Sequence, residues 1–409
     1  MNNRVFLFTA RYPYVGAENF LEDEIVFLSK VFKVVYVIPF LATDLGCREM
    51  PDNCILGGPI VKSRFDFIKQ CKFSWKVFKS LILEFFGKQV YFSKKRFKVW
   101  LTAYVSSNII INSPAIKKIG KDLEQTDVCY FYWGKWSNVL SVYWKGKAVF
   151  VSRFHGQWDL WEEEYDSYAP LRKIIANSLS AAVFISEKGE KYFHERYPEC
   201  KTYVFRLGTK NIGRVRRSTD EWLRVLSCST IYPLKRVDLI LQSVAEVSKT
   251  RKIEWTHLGG GEDYGKIYEM ANKMVSERLR VNMPGQMTYT DVLEYYKYNS
   301  FDIFVNLSTN EGIPVSIMEA ISCDVPIVAT NVGGTAEIVN EETGILVSEN
   351  PKPQDVAQAI IKLENCREKY TPRKFWCQNY MADINYDRFA SFLSALSANT
   401  EDNKIVLQN

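Results

Sequence analysis

The stretch "FDIFVNLSTNEGIPVSIMEA", residues 301–320, decides the fold. Its first eight residues are mostly apolar, β-branched or aromatic, the composition of a strand buried on both faces. The strand ends near Ser308 and a helix begins near Pro314, since proline suits the first helical position, where its missing N–H costs nothing. Between them "NEGIP" is a short loop in which Gly312 permits a tight turn or a close approach to a ligand. Strand, short loop and helix form the repeating unit of parallel α/β architecture. The helix start offers free N–H groups and the positive end of the helix dipole, a setting for phosphate. Val315 and Ser316 share a helix face with Glu319, and helical side chains lean toward the N-terminus, so Glu319 reaches back toward that mouth. An ionised carboxylate only accepts hydrogen bonds, so a vicinal diol such as a ribose is its natural ligand. Glu311, on the loop side, is placed to hold the hydroxyls of a sugar beyond the phosphates. The plainer reading of the two is a dipole-complementing glutamate and a solvated mid-helix one.

Outward from this stretch, strands are expected at "WLRVLSCS", "KIEWTHL", "RLRVNM", "VPIVAT" and "GILV", with helices at "RVDLILQSVAEVSK" and "QDVAQAIIKLENC". The first half has the same rhythm. "RVFLFTA", "KVVYVIPF", "DVCYFYW", "KAVFVSRF", "AAVFISE" and "KTYVFRL" read as strands, and "AENFLEDEIVFLSK" as a helix. A polar linker, "GTKNIGRVRRSTDE" (208–221), separates the halves. The expected architecture is α/β, with two Rossmann-like, doubly wound parallel-sheet domains facing a cleft. Residues 1–207 and 208–372 form the domains, and 373–409 a C-terminal helix and tail. Ligands of open α/β sheets sit outside the carboxyl ends of the strands.

The length of 409 residues suits two domains, and 47% apolar and 24% charged residues are ordinary for a soluble globular chain. Nine scattered cysteines without a C-x-x-C pair and only three histidines argue against a disulfide framework or a zinc site. No apolar run has the length of a signal-peptide core or a membrane span, so a cytoplasmic protein with at most peripheral membrane contact is expected. The net charge of +6 is unevenly spread: residues 61–101 carry eleven Lys and Arg against Asp66 and Glu84. This stretch lies in a helical insertion at about 60–120. Phe67, Cys71, Trp75, Phe78, Leu81 and Phe85 recur there at roughly helical spacing. Core-packing helices with a basic rim, and an amphipathic surface for anionic lipid or an anionic acceptor, both fit. No nucleic-acid motif accompanies the charge.

"EGIPVSIMEA" closely resembles the E-x7-E motif of the family-4 retaining glycosyltransferases of GT-B fold, and "DVPIVATNVGGTAEIVNEETGILV" resembles its continuation. "CSTIYPLKRVDLIL" is similar to the family's phosphate-binding lysine segment, and "VNMPGQMTYTDVLEYY" to its nucleobase loop. "PYVGAENFLEDEI" and "VSRFHGQWDLWEEE" resemble its N-domain segments. The resemblance covers most of the chain apart from residues 45–120.

It implies roles for particular residues. Glu311 would contact the transferred sugar and Glu319 the ribose. Gly312, Ile313, Pro314, Val315 and Ser316 would bring backbone N–H groups to the phosphates and sugar. Lys235 would pair with the diphosphate. The family's arginine position, five residues earlier, is Thr230 here, which leaves Arg236 as a second cation of the donor set or as a helix-surface arginine. Gly16 would let the first loop approach the donor, although Val15 stands where the family often has a second glycine. His155 would line the reaction centre, and Met283 and Gly285 would lie near the base.

The implied activity is metal-independent retaining transfer of a sugar from a UDP- or GDP-linked donor, with no cofactor. The acceptor would be a lipid-linked glycan, in exopolysaccharide, capsule or O-antigen assembly. The chain has no D-x-D triplet, the mark of metal-chelating glycosyltransferases of the other common fold. Three alternatives stand beside this: a sugar-nucleotide epimerase of the same fold, a catalytically silent scaffold, and a nicotinamide oxidoreductase. The glycines of "HLGGGEDYG" do not form the fingerprint that the last would need.

Overall fold

Side-chain alternation in the first strand sets the layering of the N-terminal half. A computed structural model of the chain, which describes residues 4–15, 18 and 20–398, places Val5 and Leu7 in one hydrophobic core and Phe6 and Phe8 in another. This is the two-residue period of a strand covered on both faces. The strand is β1 (Arg4–Thr9), followed by β2 (Val34–Pro39), β3 (Cys54–Leu56), β4 (Val128–Phe131), β5 (Val149–Phe154), β6 (Ala181–Phe184) and β7 (Thr202–Val204). They form one parallel sheet in the order β3-β2-β1-β4-β5-β6-β7. On one face, Leu21, Ile25 and Leu28 of helix α1 (Leu21–Val31) pack with Phe389, Ala390 and Leu393 of the C-terminal helix Ala382–Ala398. Burial of each such leucine or isoleucine contributes roughly 1.5–3 kcal/mol.

The other face is covered by the basic insertion: α2 (Arg64–Gln70), α3 (Trp75–Gly87), α4 (Lys94–Asn112) and α5 (Pro114–Asp122). Leu81, Trp100, Ile109 and Ile110 enter its core. The expected stripe holds poorly: of its six residues only Leu81 is buried, while Phe67, Cys71 and Trp75 are exposed. The periodicity fails because the chain leaves the helix between Gln70 and Trp75, so residues on either side do not share one face. Eleven of the 21 exposed large apolar side chains among the described residues lie within 61–101.

The C-terminal half repeats the plan with β8 (Leu223–Cys228), β9 (Ile253–Leu258), β10 (Leu279–Gly285), β11 (Ile303–Asn306), β12 (Ile327–Thr330) and β13 (Gly344–Val347). Its parallel order is β10-β9-β8-β11-β12-β13. The doubly wound class expected from the sequence is what the chain adopts. β3 was not anticipated: three residues, half-buried or exposed at the sheet edge, carry too little apolar signal. The expected linker is laid along the second unit. The Val215 N–H donates to the Cys323 carbonyl, and the Ser218 hydroxyl to Asp302. One compact unit takes the chain up to Phe205 and again from Tyr386; the other runs Arg206–Asn385. Among the described residues no helix is long and apolar enough to cross a membrane.

Candidate functional site

In the second unit the strand order reverses direction between β8 and β11. The crevice outside the carboxyl ends of such a pair is where open α/β sheets bind ligands. Lys235 lies on the loop after β8 and Glu311 on the loop after β11. Lys235 Nζ donates to Glu311 Oε1 at 2.6 Å, so the two residues singled out from separate motifs meet at that crevice. Glu311 is buried, and Asn306 Nδ2 lies 3.4 Å from the same oxygen. An ammonium has three donors, and this pair uses one of them.

Backbone packing holds the two loops in place. Gly333 has φ +51°, and a Cβ there would lie 1.7 Å from the Glu311 carbonyl oxygen. The neighbouring Gly334 N–H donates to the Gly312 carbonyl at 3.0 Å. The glycine pair of "NVGGTAE" therefore exists to let the loop after β12 press against "NEGIP". Likewise a Cβ on Gly259, at φ +139°, would meet the Ser229 carbonyl oxygen at 2.0 Å. These glycines of "HLGGGEDYG" seat the loop after β9 on the loop that leads to Lys235.

The helix Val315–Ser322 starts with Pro314 as its N-cap and no capping side chain, which leaves the first-turn N–H groups of Val315 and Ser316 without a side-chain partner from the cap. Ile313 is buried beside them. Glu319, in the same helix, is 4% exposed and does not face bulk solvent. Burial raises the Tyr296 hydroxyl well above its ordinary range, and the charge of Glu319 adds to it, which places that carboxylate near the ring. Arg236 is committed elsewhere. At φ +47° its guanidinium donates to the carbonyls of Leu307, Ser308 and Glu349, which ties loops together. Met283 is buried in the core with its carbonyl accepting from the Tyr264 hydroxyl at 2.7 Å, and Gly285 closes β10 at φ +85°.

In the first unit, Gly16 lies outside the described residues. Next to it the Glu18 carboxylate accepts from the N–H groups of Ala10, Arg11 and Tyr12 and from Trp133 Nε1 at 2.6 Å. It joins the loops after β1 and β4, where this sheet's strand order reverses. His155, at the end of β5, packs its ring against Tyr132 and Trp133 at centroid distances of 4.7 and 4.4 Å. Its Nδ1 is 3.5 Å from Asp159 Oδ2, and neither ring nitrogen has a hydrogen-bond partner among the described residues. Asp159 instead accepts from the N–H groups of His155 and Gly156, and so fixes the turn that carries the histidine. Glu18, Asp159 and Asn306 were missed in the sequence. An acid a few residues beyond a strand end and three after a glycine, as in "RFHGQWD", is the signal that could have found Asp159.

Residues 210–374 match the family model described as "Glycosyl transferases group 1". The O-antigen biosynthesis glycosyltransferase WbnH of Escherichia coli is 30% identical over 130 residues, 30% of this chain and 35% of that protein. Protein CapJ of Staphylococcus aureus is 28% identical over 201 residues, 48% of each. The matches thus span about a third to a half of these relatives. Among solved structures, HepE of Anabaena in complex with UDP and glucose superposes with a TM-score of 0.62 at 16% identity, covering 96% of this chain and 99% of that one. Sucrose-phosphate synthase of Thermosynechococcus elongatus gives 0.66 at 15%, covering 97% and 100%. Residues 210–374 are a group 1 glycosyltransferase domain, carried in a chain with the GT-B fold.

Proposed function

We propose that the protein transfers a sugar, with retention of anomeric configuration, from a nucleoside-diphosphate donor to a hydroxyl of a lipid-linked glycan at the cytoplasmic face of a membrane. The Lys235–Glu311 pair at the β8/β11 crevice carries this reading. Charge grows on the departing diphosphate during transfer, and a fixed ammonium together with helix-terminal N–H groups stabilises it without reorganisation. Lys235 supplies the ammonium, and Val315 and Ser316 the amides. Glu311 orients Lys235 and accepts from hydroxyls of the transferred sugar, while Glu319 accepts from the ribose. No metal is required for any of these roles. Bound UDP with glucose in HepE, and UDP with GlcNAc in the pneumococcal transferase GtfA, support a uridine donor. An O-antigen glycosyltransferase among the relatives supports a surface-polysaccharide setting.

Calorimetric titration with UDP, GDP and ADP tests the donor half. One of them is expected to bind at one site, with affinity lost in Glu319→Ala; absence of binding by all three would overturn the reading. Incubation with donor alone separates transfer from epimerisation: free nucleoside diphosphate should accumulate only when an acceptor is present.

A further inference from the structure

A cavity of about 440 Å³ lies within the first unit, between α4 and the segments that follow β4 and β5. It opens at the carboxyl end of the sheet, and none of the described residues lining it is acidic. Four cations line it: Lys95, Lys98, Lys135 and Arg172. Lys98 is exposed, and Lys135 Nζ donates to the Tyr165 hydroxyl at 3.0 Å. Lys95 Nζ lies 3.9 Å from the Asp166 carboxylate. Arg172 is 7% exposed; its Nη2 donates to the Asp159 carbonyl at 2.8 Å, and its Nη1 has no hydrogen-bond partner among the described residues. A buried guanidinium nitrogen without an acceptor is costly unless a ligand supplies one. The remaining walls are largely apolar, with Trp136, Val139, Trp161, Leu171 and Ile175 facing the small residues Thr102, Ala103 and Ser106 of α4.

We infer that this cavity binds an apolar chain ending in a phosphate or diphosphate, with the chain along the Trp136–Ile175 wall and the anion on the lysines and Arg172. The inference rests on the transfer reading above and names the part of the acceptor that is recognised: its lipid-phosphate anchor. A free glycan fits less well, because no carboxylate among the described lining residues is there to accept from sugar hydroxyls and Asn138 is the only amide side chain among them, whereas cations and apolar area predominate. The volume lies within the range of small-molecule sites, and the small side chains on α4 keep it open.

Farnesyl diphosphate, farnesol, inorganic diphosphate and dihexanoyl phosphatidic acid, each titrated into the full chain below micellar concentration, test this. Calorimetry gives the affinity, and quenching of tryptophan fluorescence reports on Trp136 and Trp161. Farnesyl diphosphate should bind one-to-one and at least tenfold tighter than farnesol or inorganic diphosphate. Ala103→Phe, which fills the cavity, should weaken it at least tenfold, and Lys98→Glu, at an exposed site that leaves folding unchanged, several-fold. Phosphatidic acid binding as well as farnesyl diphosphate would support the same chemistry and assign the anchor to a phospholipid; weaker binding assigns it to an isoprenoid. Farnesyl diphosphate no tighter than its two fragments, or unchanged in both variants, overturns the inference. Nucleoside diphosphate binding keeps the two readings apart: retained with no farnesyl diphosphate binding, it sinks this inference alone; lost while farnesyl diphosphate still binds, it sinks the donor assignment alone.

Discussion

Lys235 and Glu311 are 76 residues apart in the chain and joined by one hydrogen bond of 2.6 Å, so each holds the other in place. Lys235→Ala should lower kcat/KM by about 100- to 1000-fold, the usual cost of removing one fixed charge-stabilising donor. Steady-state kinetics check this, and an activity within threefold of the parent would place the diphosphate elsewhere. Lys235→Arg should not restore the parent rate, since a planar fork does not replace a compact ammonium against the same carboxylate. In β9, His257 is fully buried. Trp255 Nε1 donates to Ser227 Oγ, whose hydroxyl then donates to His257 Nδ1 at 2.8 Å, and Nε2 donates to the Ser229 carbonyl at 3.1 Å. Burial pushes this imidazole down to about 4, against a bond to Ser229 that pulls the other way. A depressed histidine binds its proton more readily in the unfolded chain. Its stabilising contribution is therefore complete above about pH 6.5 and falls by up to about 1.4 kcal/mol per pH unit as the pH drops toward 4. Urea denaturation at pH 7 and pH 5 should show this loss, and His257→Gln, whatever its own stability, should show a flatter dependence. Equal slopes would refute the assignment.

At the level of elements, the strand–loop–helix units were legible because periodicity and composition agree: β8, β11, β12 and β13 are at least half valine, isoleucine and leucine, whereas β9 and β10 hold two such residues each. Lys235 and Glu311 were singled out from separate motif segments, and the structure brings the two together at the β8/β11 crevice, while Asn306, at the end of β11 itself, carries no such signal. What stayed hidden depends on loops from distant strands meeting one another. Gly333 shows the difference: within the chain it is one of a pair of turn residues, but in the fold its missing side chain is what lets the β12 loop lie on the Glu311 carbonyl. Gly333→Ala adds both a positive-φ penalty and a backbone clash. It should displace "NEGIP", raise KM for the donor at least tenfold, and lower the thermal midpoint by a few degrees; unchanged donor binding would mean that this loop does not touch the donor. Glu18 is the corresponding hidden residue of the first unit. One carboxylate receives three backbone N–H groups and an indole, a pattern no local motif announces. Glu18→Gln can keep some of these contacts but replaces an acceptor oxygen with a donor, so it should loosen the loop after β1 more than it destabilises the sheet. Hydrogen exchange at Ala10 to Tyr12 reads that loosening directly, and protection equal to the parent would show that the loop is held by other contacts.

On the scale of the whole molecule, the distribution of charge and apolar surface is lopsided. Residues 61–101 hold eleven of the chain's 53 basic residues and just over half of the exposed large apolar side chains among the described residues. Inward, Leu81 and Trp100 are buried in the core; outward, Phe65, Trp75, Phe86 and Phe92 are each more than 60% exposed. The core-packing reading of this insertion holds for the inward face of its helices, and for the outward face we propose the anionic-surface reading. Soluble chains rarely keep so many large apolar groups in water, and their lysine neighbours add attraction to an anionic surface of about 1 kcal/mol per cation near it. The full chain should float with vesicles containing anionic phospholipid and remain unbound with neutral ones. Raising salt to about 0.5 M, where screening shortens to a few ångströms, should weaken binding without abolishing it, because the aromatic part is not screened. Combined Trp75→Ser, Phe86→Ser and Phe92→Ser replaces only exposed side chains, so nucleoside diphosphate binding should survive while flotation is lost. If that triple variant floats as well as the parent, or if neutral vesicles bind the parent equally, the insertion is a covering for the sheet and nothing more.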